Sequence, residues 1–366
     1  MGDYVLNKDY IKVCKRVNNN KRNFLVLNTA QCKHVPSSPS KAFEMFDELA
    51  SKVADRYDNE KIMLVGFAET ATAIGSRISE ITGYDYIHTT REFIPDDNYY
   101  NFSETHSHAT NQKLYKYDFS SYDRIVFIED EVTTGNTILN IIDVISNDYR
   151  TIQFGVASLL NGMTEKHLQK FDIFEIPVDY LIHIDNSNYS SIADSIDLSS
   201  NVSVIKEGID YKKNTQRFGV RYLNNERFGV VSKQRLHNTN TLKSIAEVFV
   251  NECKDKEDVL ILGTEEFMYP AIYVGKYFEE NSSANVYCHS TTRSPIGVSN
   301  TEGYPLTNAC KMPSVYDEHR ETYLYNLRKY DKVFIIAESI ANNFDYIVEA
   351  LKNSGNTDIR LIKVGA

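Results

Sequence analysis

The sequence predicts an α/β protein with two domains, each built on a mostly parallel sheet. The chain has 366 residues, a length that suits two domains of about 150 residues each. Apolar strand patterns alternate with helical patterns along it, which is typical of parallel sheets with helical crossovers. One series of elements, including the tripeptide Thr-Thr-Arg after equivalent strands, occurs twice. The predicted fold class rests on these three observations.

The first half contains the whole series. Its elements are an apolar run at 22–27, a helix over 40–57 with Ser40 as the N-cap, a strand and turn at 61–69, a helix over 70–82, a strand ending in Thr89-Thr90-Arg91, a long polar loop, a strand at 123–129 and a helix over 136–146. Parallel strands joined by helices imply right-handed crossovers and a ligand crevice at the carboxyl ends of the strands.

The second half repeats the series. The matching elements are a run at 227–231, a helix over 240–254, a strand and turn at 258–266, a helix over 267–280, a strand ending in Thr291-Thr292-Arg293, a polar loop, a strand at 331–337 and a helix over 341–351. We interpret the repeat as an old duplication of a Rossmann-like domain. A coincidence between two α/β units is the alternative, and the shared tripeptide weighs against it. The polar stretch 186–214 is the predicted connection, and the predicted domains are residues 1–205 and 206–366.

Composition excludes several classes of protein. The net charge of −10, from 50 acidic and 40 basic residues, argues against non-specific binding of nucleic acid. No apolar run approaches the ~18 residues of a membrane span, and residues 1–10 mix charged and apolar side chains, unlike a signal peptide. The five scattered cysteines form no CxxC pair. They favour reduced thiols in a cytoplasmic protein over a zinc site or a disulfide framework.

The strongest local signal lies at 124–137, where an apolar strand, two adjacent acids and a Thr/Gly turn lead into a helix. Backbone N–H groups at such a turn bind a phosphate, assisted by the helix dipole. Gly135 allows close approach, and Thr133, Thr134 and Thr137 add hydroxyl donors. The acids before the turn would repel a phosphate, so sugar hydroxyls are their natural partners. A capped helix after a buried strand, with incidental acids, is the alternative.

This stretch resembles the 5-phosphoribosyl-1-pyrophosphate (PRPP) signature of type I phosphoribosyltransferases. The resemblance implies that the first domain has the type I fold and that Glu129 and Asp130 are catalytic acids that address the ribose. It assigns the 5′-phosphate to Val132, Thr133, Thr134, Gly135, Asn136 and Thr137. Glu131 departs from the signature, in which a small or apolar residue is usual. The extra acid serves Mg²⁺ or indicates a product unlike an ordinary nucleotide.

Further motifs are similar to those of a narrower group, the bacterial orotate-type phosphoribosyltransferases followed by a domain named for Thr-Arg-Ser-Pro. These motifs lie at 33–36, 66–72, 89–91, 103–110, 292–295 and 323–326. The group is associated with tellurite-resistance-type stress operons and is predicted to make a nucleoside-like metabolite.

The resemblance implies transfer of the 5-phosphoribosyl group from PRPP to an unidentified base-like acceptor, with release of pyrophosphate. Mg²⁺ is the implied cofactor, held by PRPP and by Glu129 and Asp130. The pyrophosphate is assigned to Ala68, Glu69, Thr70, Ala71 and Arg91. For the turn at 68–71, an ordinary strand–helix connection with Thr70 as the N-cap is the alternative.

The segment 92–117 is too long and too polar for a routine connection. We interpret it as a mobile lid whose catalytic Glu104, His106 and His108 act on the leaving group or the acceptor. A metal site formed by the two histidines and a solvated loop are the alternatives.

The second half lacks the phosphate apparatus, because Ala337-Glu338-Ser339 replaces the acids and 340–343 contain neither Gly nor Thr. We therefore expect no second PRPP site and predict a degenerate relative of the first domain. The predicted acceptor or second-domain site comprises Lys33, His34, Glu266, Thr292, Arg293 and Ser294. Completion of a dimer, a cover for the first site and simple packing of the motif are the alternatives.

Three functions share the signature. A Mg²⁺-dependent phosphoribosyltransferase acting on PRPP and a small-molecule acceptor is the leading hypothesis. A regulator that senses PRPP or a nucleotide without turnover is the second, and a nucleotide hydrolase or phosphorylase is the third. The resemblance also leaves a homodimer open as an alternative to a monomer.

Overall fold

The computed structural model of the chain describes residues 8–17, 22–92, 98–103 and 111–365. These residues form two compact units that are interleaved in the sequence. Unit 1 holds the described residues of Phe43–Ser187 and Asn224–His237, and unit 2 holds those of Asn7–Ala42, Asn188–Leu223 and Asn238–Ala366. The domain boundary that the sequence places after residue 205 stays a prediction.

Strands and helices alternate along most of the described chain. The strands are β1 Ile11–Lys15, β2 Phe24–Asn28, β3 Ile62–Gly66, β4 Asp85–His88, β5 Tyr99–Ser103, β6 Asn111–Tyr115, β7 Arg124–Val132, β8 Gln153–Asn161, β9 Val178–His183, β10 Val202–Val204, β11 Gln216–Arg221, β12 Asp258–Gly263, β13 Asn285–Ser290, β14 Ala309–Pro313, β15 Glu321–Tyr325, β16 Lys332–Glu338 and β17 Ile359–Val364. The α-helices are α1 Pro39–Arg56, α2 Ala71–Thr82, α3 Asn136–Asp148, α4 Glu165–Ile173, α5 Tyr189–Asp194, α6 Tyr211–Asn214, α7 Ser232–Val250, α8 Tyr269–Asn281 and α9 Asp345–Asn353. Two 3₁₀-helices lie at Lys8–Tyr10 and Glu226–Phe228.

Unit 1 is built on a five-stranded sheet in the order β4-β3-β7-β8-β9, and every neighbouring pair in it is parallel. Such strands are covered by helices on both faces and read as continuous apolar runs. All residues of β3 and the first five of β7 are buried accordingly. Gly66, at the end of β3, pairs with His88 of β4 and with Ile128 of β7. The segments that follow these three strands therefore begin at one edge of the sheet.

Two glycines of unit 1 make room for one buried ring. A Cβ atom on Gly66 would lie 2.4 Å from the hydroxyl oxygen of Tyr86, and one on Gly75 would lie 2.4 Å from the ring carbon Cε2. The Tyr86 hydroxyl donates to the carbonyl of Thr72 at 2.9 Å. The ring thus fastens the start of α2 to β4, and a methyl group at either glycine would overpack this contact at a cost of about 1–3 kcal/mol.

Unit 2 is built on a second five-stranded parallel sheet, in the order β11-β17-β16-β12-β13. A smaller sheet, β10-β14-β15, and the antiparallel pair β1-β2 accompany it. Its largest core cluster includes apolar residues of β12, β16 and α9 together with β14 and β15. The predicted fold class, α/β with two parallel-sheet domains, is confirmed.

The two large sheets share the positions of four strands. In chain order, β3, β4, β7 and β8 of unit 1 correspond to β12, β13, β16 and β17 of unit 2, and both sets adopt the order second-first-third-fourth. The fifth position differs. It is taken by β9 in unit 1, which follows the four strands in sequence, and by β11 in unit 2, which precedes them.

Several predicted elements differ from the observed ones. The run at 227–231, predicted as an apolar lead-in, contains a 3₁₀-helix instead, and Gly229 at φ 88° interrupts any extended course. Helix α7 then begins at Ser232 rather than at 240, and α9 begins at Asp345 rather than at 341. Ser40 lies in the first turn of α1 and not at its N-cap, because the helix begins at Pro39, whose fixed φ suits a first helical position.

Within residues 8–17, 22–92, 98–103 and 111–365, no helix combines the length and the apolar composition needed to cross a membrane.

Candidate active site

Three segments meet at the carboxyl edge of the unit 1 sheet. The N–H of Phe67 donates to the carbonyl of Ile128 at 3.1 Å, and the N–H of Thr89 donates to the carbonyl of Gly66 at 2.9 Å. These bonds continue the strand pairing by one residue beyond β3 and β4. The turns after β3, β4 and β7 consequently start side by side, which is where parallel α/β sheets bind ligands.

The predicted acids lie in the last residues of β7. Glu129, Asp130 and Glu131 are all half-buried, and β7 continues through Val132, which is buried. Oε1 of Glu129 accepts the N–H of Asp130 at 3.1 Å. Among the described residues, no hydrogen bond or ion pair engages the Asp130 carboxylate. The Asp130 carboxylate therefore lies at the ligand edge and is not bonded to any described protein group.

The bend after β7 leads into a helix whose first backbone N–H groups are not capped by a side chain. Gly135 adopts φ 71°, in the left-handed region, and a Cβ atom there would lie 2.4 Å from ring atoms of Phe171. Helix α3 starts at Asn136 with no side chain capping it, and the nearest hydroxyl contact is from the Asn136 N–H to Oγ1 of Thr134 at 3.4 Å. An uncapped helix start leaves N–H groups for an external acceptor.

The hydroxyls of this bend are equally available. No hydrogen bond to the side chain of Thr133 or Thr137 is present in the part of the chain that the structure describes. Together with the amides of the bend, they form a concentrated set of donors at the positive end of the α3 dipole. This arrangement suits a phosphate and offers little to an uncharged group.

The turn after β3, which the sequence assigns to pyrophosphate, is fixed by hydrogen bonds to its backbone. The peptide between Ala68 and Glu69 is cis. The N–H of Ala68 donates to Oγ1 of Thr89 at 2.8 Å, and its carbonyl accepts Nε2 of Gln112 at 2.9 Å. The Thr89 hydroxyl in turn donates to Oε1 of Gln112, and Oγ1 of Thr72 donates to the carbonyl of Glu69 at 3.0 Å. These bonds fix the backbone of the turn.

Thr70 and Ala71 lead from this turn into α2. Thr70 takes the N-cap position but makes no side-chain cap hydrogen bond. Ala71 is buried as the first residue of the helix. Thr70 thus takes the N-cap position of the alternative interpretation, but without a side-chain hydrogen bond, and the start of α2 lacks a side-chain cap as that of α3 does.

Arg91 follows the two threonines at the end of β4. Thr90 and Lys113 exchange backbone hydrogen bonds of 2.8 and 3.0 Å. Oγ1 of Thr90 also accepts the N–H of Glu92 at 3.1 Å. Because both neighbours of Arg91 are held in this way, the backbone of Arg91 is fixed at the ligand edge of the sheet.

The predicted lid is only partly a loop. Within 92–117, β5 and β6 pair in an antiparallel hairpin, with Tyr99 opposite Tyr115. Gln112 of β6 is the residue that reaches the Ala68 turn, and sequence reasoning did not single it out. Its polar side chain in an otherwise unremarkable strand carries no signal of its own. The three predicted catalytic residues Glu104, His106 and His108 lie outside the described residues, as does the alternative metal site.

The structure brings several predicted acceptor residues together in unit 2. Lys33 is fully buried, and its Nζ donates to the carbonyls of Glu265 and Thr291 at 2.7 and 3.0 Å. Arg293 donates from Nε to Oε2 of Glu265 at 2.5 Å and lies 3.4 Å from Oε1 of Glu266. Lys33, Glu266 and Arg293 thus share the carboxyl edge of the unit 2 sheet. The guanidinium predicted to meet an anionic group has two internal carboxylates as neighbours.

The remaining motif residues of unit 2 pack within the fold. Thr292 exchanges backbone hydrogen bonds with Tyr323 at 3.0 and 2.7 Å, and its Oγ1 accepts the N–H of Ser294 at 3.2 Å. The carbonyl of Ser294 accepts the hydroxyl of Tyr325 at 2.7 Å. His34 is buried. These contacts support the packing alternative for Thr292 and Ser294.

One buried titratable group of unit 2 was not foreseen. Nε2 of His289, in β13, lies 2.7 Å from the carbonyl of Tyr325, and burial lowers the pKa of this imidazole to about 4. Its position is that of an ordinary inward-facing strand residue, so the sequence carries no distinguishing signal. Within the described ranges, no group of three or more His, Cys, Asp or Glu side chains is arranged to hold a metal ion.

Two family models match most of the chain. A model described as "Phosphoribosyl transferase" matches residues 11–187, and one described as "TRSP domain C terminus to PRTase_2" matches residues 224–351. No curated protein matches the chain.

Solved structures of low similarity were also found. The adenine phosphoribosyltransferase of Trypanosoma brucei is 14% identical, covers 48% of this chain and 77% of its own, and has a TM-score of 0.35. The adenine phosphoribosyltransferase of Saccharomyces cerevisiae is 10% identical, covers 48% and 96%, and has a TM-score of 0.38. A hypoxanthine phosphoribosyltransferase of Staphylococcus aureus is 16% identical, covers 34% and 65%, and has a TM-score of 0.25. Similarities of this size assign no substrate.

Proposed function

Because the chain belongs to the family of phosphoribosyl transferases that are followed by a TRSP domain, we propose that it transfers the 5-phosphoribosyl group of PRPP to a base-like acceptor and releases pyrophosphate. The product is a phosphoribosylated, nucleotide-like compound on the route to a nucleoside-like metabolite. The family makes the chain an enzyme of the phosphoribosyltransferase class; the acceptor and the metal dependence belong to the proposal.

The observation that carries the proposal is the combination of a carboxylate and a set of hydrogen-bond donors at the end of β7. Asp130 has no described protein partner, and the bend at 133–135 offers amides and hydroxyls at the start of α3. A ligand that satisfies both needs hydroxyls to donate to the carboxylate and an anionic group to accept from the bend. Ribose 5-phosphate has this pattern.

The turn after β3 and Arg91 supply the second anionic position. The open start of α2 and the guanidinium of Arg91 suit a group with several negative oxygens. We assign pyrophosphate to this position, with Ala68, Glu69, Thr70 and Ala71 providing the turn. The turn and the bend follow β3 and β7, which are neighbouring strands of one sheet, and we assign the two anionic groups of a single PRPP molecule to them.

The chemistry then depends on how the site treats developing charge. The bond between C1 of the ribose and the pyrophosphate oxygen breaks, and a bond between C1 and the acceptor forms. Positive charge gathers on the ribose ring in the transition state, where Glu129 and Asp130 stabilise it, while the donors around the pyrophosphate stabilise the leaving group. Closure by the segment 92–117 would exclude water from this step.

Mg²⁺ is the cofactor that the family implies, and the residues present fit it. A hard cation takes oxygen ligands and is often held by one or two carboxylates plus phosphates of the substrate. The half-buried Glu129 and Asp130 are such ligands at the right edge. When bound, Mg²⁺ supplies neutralisation of the pyrophosphate charge.

Unit 2 and the location of the protein complete the proposal. The cluster of Lys33, Glu266 and Arg293 is assigned to the handling of the acceptor or the product. The scattered and unpaired pattern of the cysteines favours a cytoplasmic location.

The test is an assay of pyrophosphate release by the full chain with Mg²⁺, PRPP and a panel of bases. The Asp130→Asn variant removes one negative charge with little change of shape, and we expect its turnover to fall by about a hundredfold or more. Asp143→Asn is the matched control, because Asp143 is an exposed residue of the same unit on α3.

Each outcome discriminates between the functions. Base-dependent release that is lost in Asp130→Asn and kept in Asp143→Asn supports the transferase. Release without any base would favour the hydrolase. PRPP binding by calorimetry without release under every acceptor would favour the regulator, and full release by Asp130→Asn would contradict the assignment of the acids.

A further inference from the structure

The segment 224–237 belongs to one domain by sequence and to the other by structure. The TRSP model begins at residue 224, yet Asn224–His237 are part of unit 1, the unit of the proposed PRPP site. The segment packs on three elements around the pyrophosphate side of that site: β4, α2 and the hairpin β5-β6.

Its contact with β4 is a short extension of the sheet. Val230 and Tyr86 exchange backbone hydrogen bonds of 2.9 and 2.7 Å in antiparallel orientation. Because β4 is the edge strand of the unit 1 sheet, this bridge covers part of an edge that would otherwise be open. The N–H of Ser232 donates to Oδ1 of Asp85 at 3.1 Å, which adds a second point of attachment.

Its contact with α2 is made by an ion pair within the segment, between Arg235 and Glu226, which bonds to two serines of the helix. The guanidinium of Arg235 bonds to the carboxylate of Glu226, which also accepts the hydroxyl of Ser76, and Nε of Arg235 donates to Oγ of Ser79 at 3.2 Å. Both serines lie on α2, the helix that begins at the pyrophosphate turn. The segment is therefore anchored by groups that lose their partners if it moves.

Its contact with the β4 end is made by Arg227. This side chain is 5% exposed, and its Nε donates to Oγ1 of Thr90 at 3.2 Å. The same hydroxyl oxygen accepts the N–H of Glu92. Thr90 and Glu92 are the two neighbours of Arg91, so the hydroxyl that the buried guanidinium contacts also links the residues on both sides of the cation proposed to meet pyrophosphate.

One aromatic contact ties the segment to the hairpin, and a second ties it to Tyr117, which follows β6. The ring of Phe228 meets that of Tyr115 edge to face at 4.6 Å between centroids. A Cβ atom on Gly229 would lie 2.4 Å from the ring of Tyr117, so the backbone approaches this ring as only glycine allows. The hairpin that precedes and follows the proposed lid residues thus rests on the same segment.

We infer that Arg227, a residue of the TRSP-matched region, is a positioning residue for the pyrophosphate side of the proposed site. The inference rests on the proposed function, and it adds that the transferase site is incomplete without residues 224–237. Arg227 acts through Thr90 on Arg91 and needs no contact with the substrate itself.

The test measures ligand affinity by calorimetry on the full chain, because binding needs no identified acceptor. The probes are PRPP, inorganic pyrophosphate and ribose 5-phosphate, each with Mg²⁺. For Arg227→Ala we expect the affinity for PRPP and for pyrophosphate to fall by about tenfold or more, since a buried hydrogen bond from a charged donor is lost. We expect the affinity for ribose 5-phosphate to stay within about twofold, because its phosphate meets the bend after β7.

A matched control separates positioning from stability. Arg124 is 7% exposed and also belongs to unit 1, but it lies at the amino end of β7, where it bonds to Glu60 and to the carbonyl of Phe154. Arg124→Ala should lower the melting temperature as much as Arg227→Ala does and leave the affinity for all three probes unchanged.

A second pair of variants covers the case in which Arg227→Ala does not fold. Thr90→Val removes the hydroxyl that Arg227 holds, and Thr90→Ser retains it. The valine variant should lose pyrophosphate affinity and the serine variant should keep it. In the double variant with Arg227→Ala, the losses should not add, as expected for two members of one contact.

The outcomes distinguish the inference from the function on which it rests. If the unmodified chain binds none of the probes, the proposed function fails and the inference fails with it. If the unmodified chain binds PRPP, and if Arg227→Ala and Thr90→Val bind pyrophosphate as tightly as the unmodified chain does, the inference is wrong and the function stands. An equal loss of ribose 5-phosphate and pyrophosphate affinity in Arg227→Ala would indicate general loosening of unit 1 and overturn the positioning role.

Discussion

Nε of Arg293 donates to Oε2 of Glu265 at 2.5 Å at the carboxyl edge of the unit 2 sheet, where the Glu265 side chain is fully buried and that of Arg293 is 9% exposed. Glu265 also lies 3.0 Å from Arg320 and adopts φ 49°, a conformation that non-glycine residues rarely take. The pair therefore holds a constrained turn in place with opposite charges. Removal of one partner is costly because the other remains buried.

For Arg293→Ala we expect the free energy of unfolding of unit 2 to fall by about 3 kcal/mol, at the lower end for a broken buried pair because Arg320 remains. Denaturant unfolding measures it, with Arg293→Lys as the variant that keeps the charge. PRPP affinity measured below the melting temperature should not change. A collapse of PRPP affinity in a folded Arg293→Ala protein would show that the division of labour between the units is wrong.

Gly135→Ala tests the phosphate bend. Its methyl group would have to occupy a left-handed conformation and lie 2.4 Å from the Phe171 ring, so either the bend or the ring moves. We expect a loss of about 2–4 kcal/mol in the free energy of unfolding and a fall of at least tenfold in affinity for ribose 5-phosphate, measured by calorimetry.

Gly83→Ala is the control for this change. Gly83 has a similar φ of 73°, but a Cβ atom added there would have no neighbour within 4 Å, so the variant carries the backbone cost without the clash. It should lose about 1 kcal/mol and keep its affinity for ribose 5-phosphate. Equal affinities in the two variants would speak against the bend as the phosphate site.

Thr89→Val tests the fixed pyrophosphate turn. The valine keeps the shape but leaves the N–H of Ala68 without its acceptor in a buried place, which costs about 1–3 kcal/mol. We expect weaker binding of Mg²⁺-pyrophosphate by calorimetry and little change for ribose 5-phosphate. Thr82→Val, at the far end of α2, removes a comparable hydroxyl bonded to the Ile78 carbonyl and should leave both affinities intact.

His289 predicts a pH dependence for the stability of unit 2. Burial lowers the pKa of its imidazole to about 4 in the folded protein, against about 6.5 in an unfolded chain. The unfolded state therefore binds the proton first as the pH falls. The stabilisation is fully present above about pH 6.5 and is lost between there and about pH 4, with a loss of about 2 kcal/mol between pH 7 and pH 5.

Denaturant unfolding of the full chain at several pH values measures this effect. The His289→Gln variant has no titrating ring at this position. Its free energy of unfolding should therefore fall by about 2 kcal/mol less than that of the unmodified chain between pH 7 and pH 5. Parallel pH profiles for the two proteins would contradict the assignment of the low pKa to this residue.

The sequence alone was sufficient for the features that depend on neighbouring residues. The apolar run of β7 and the Thr-Thr-Gly bend predict a strand followed by a tight turn into a helix, and the structure has β7 and α3 there. The anion site at this bend stays a prediction. The alternation of strands and helices likewise predicts two parallel sheets. The first feature depends on a stretch of about fifteen residues, and the second depends on the order of such stretches along the chain.

Only the tertiary structure decided which distant segments complete each unit. That Gln112 holds the Ala68 turn, that Arg227 holds Thr90 and that Lys33 reaches the carbonyl of Glu265 are contacts across tens to hundreds of residues. Their side chains look like any other polar residue in the sequence, because burial and partner choice follow from packing of the whole chain. Local patterns determine the elements through short-range backbone energetics. Buried polar contacts, in contrast, form only where the assembled core excludes water and brings a donor and its acceptors together.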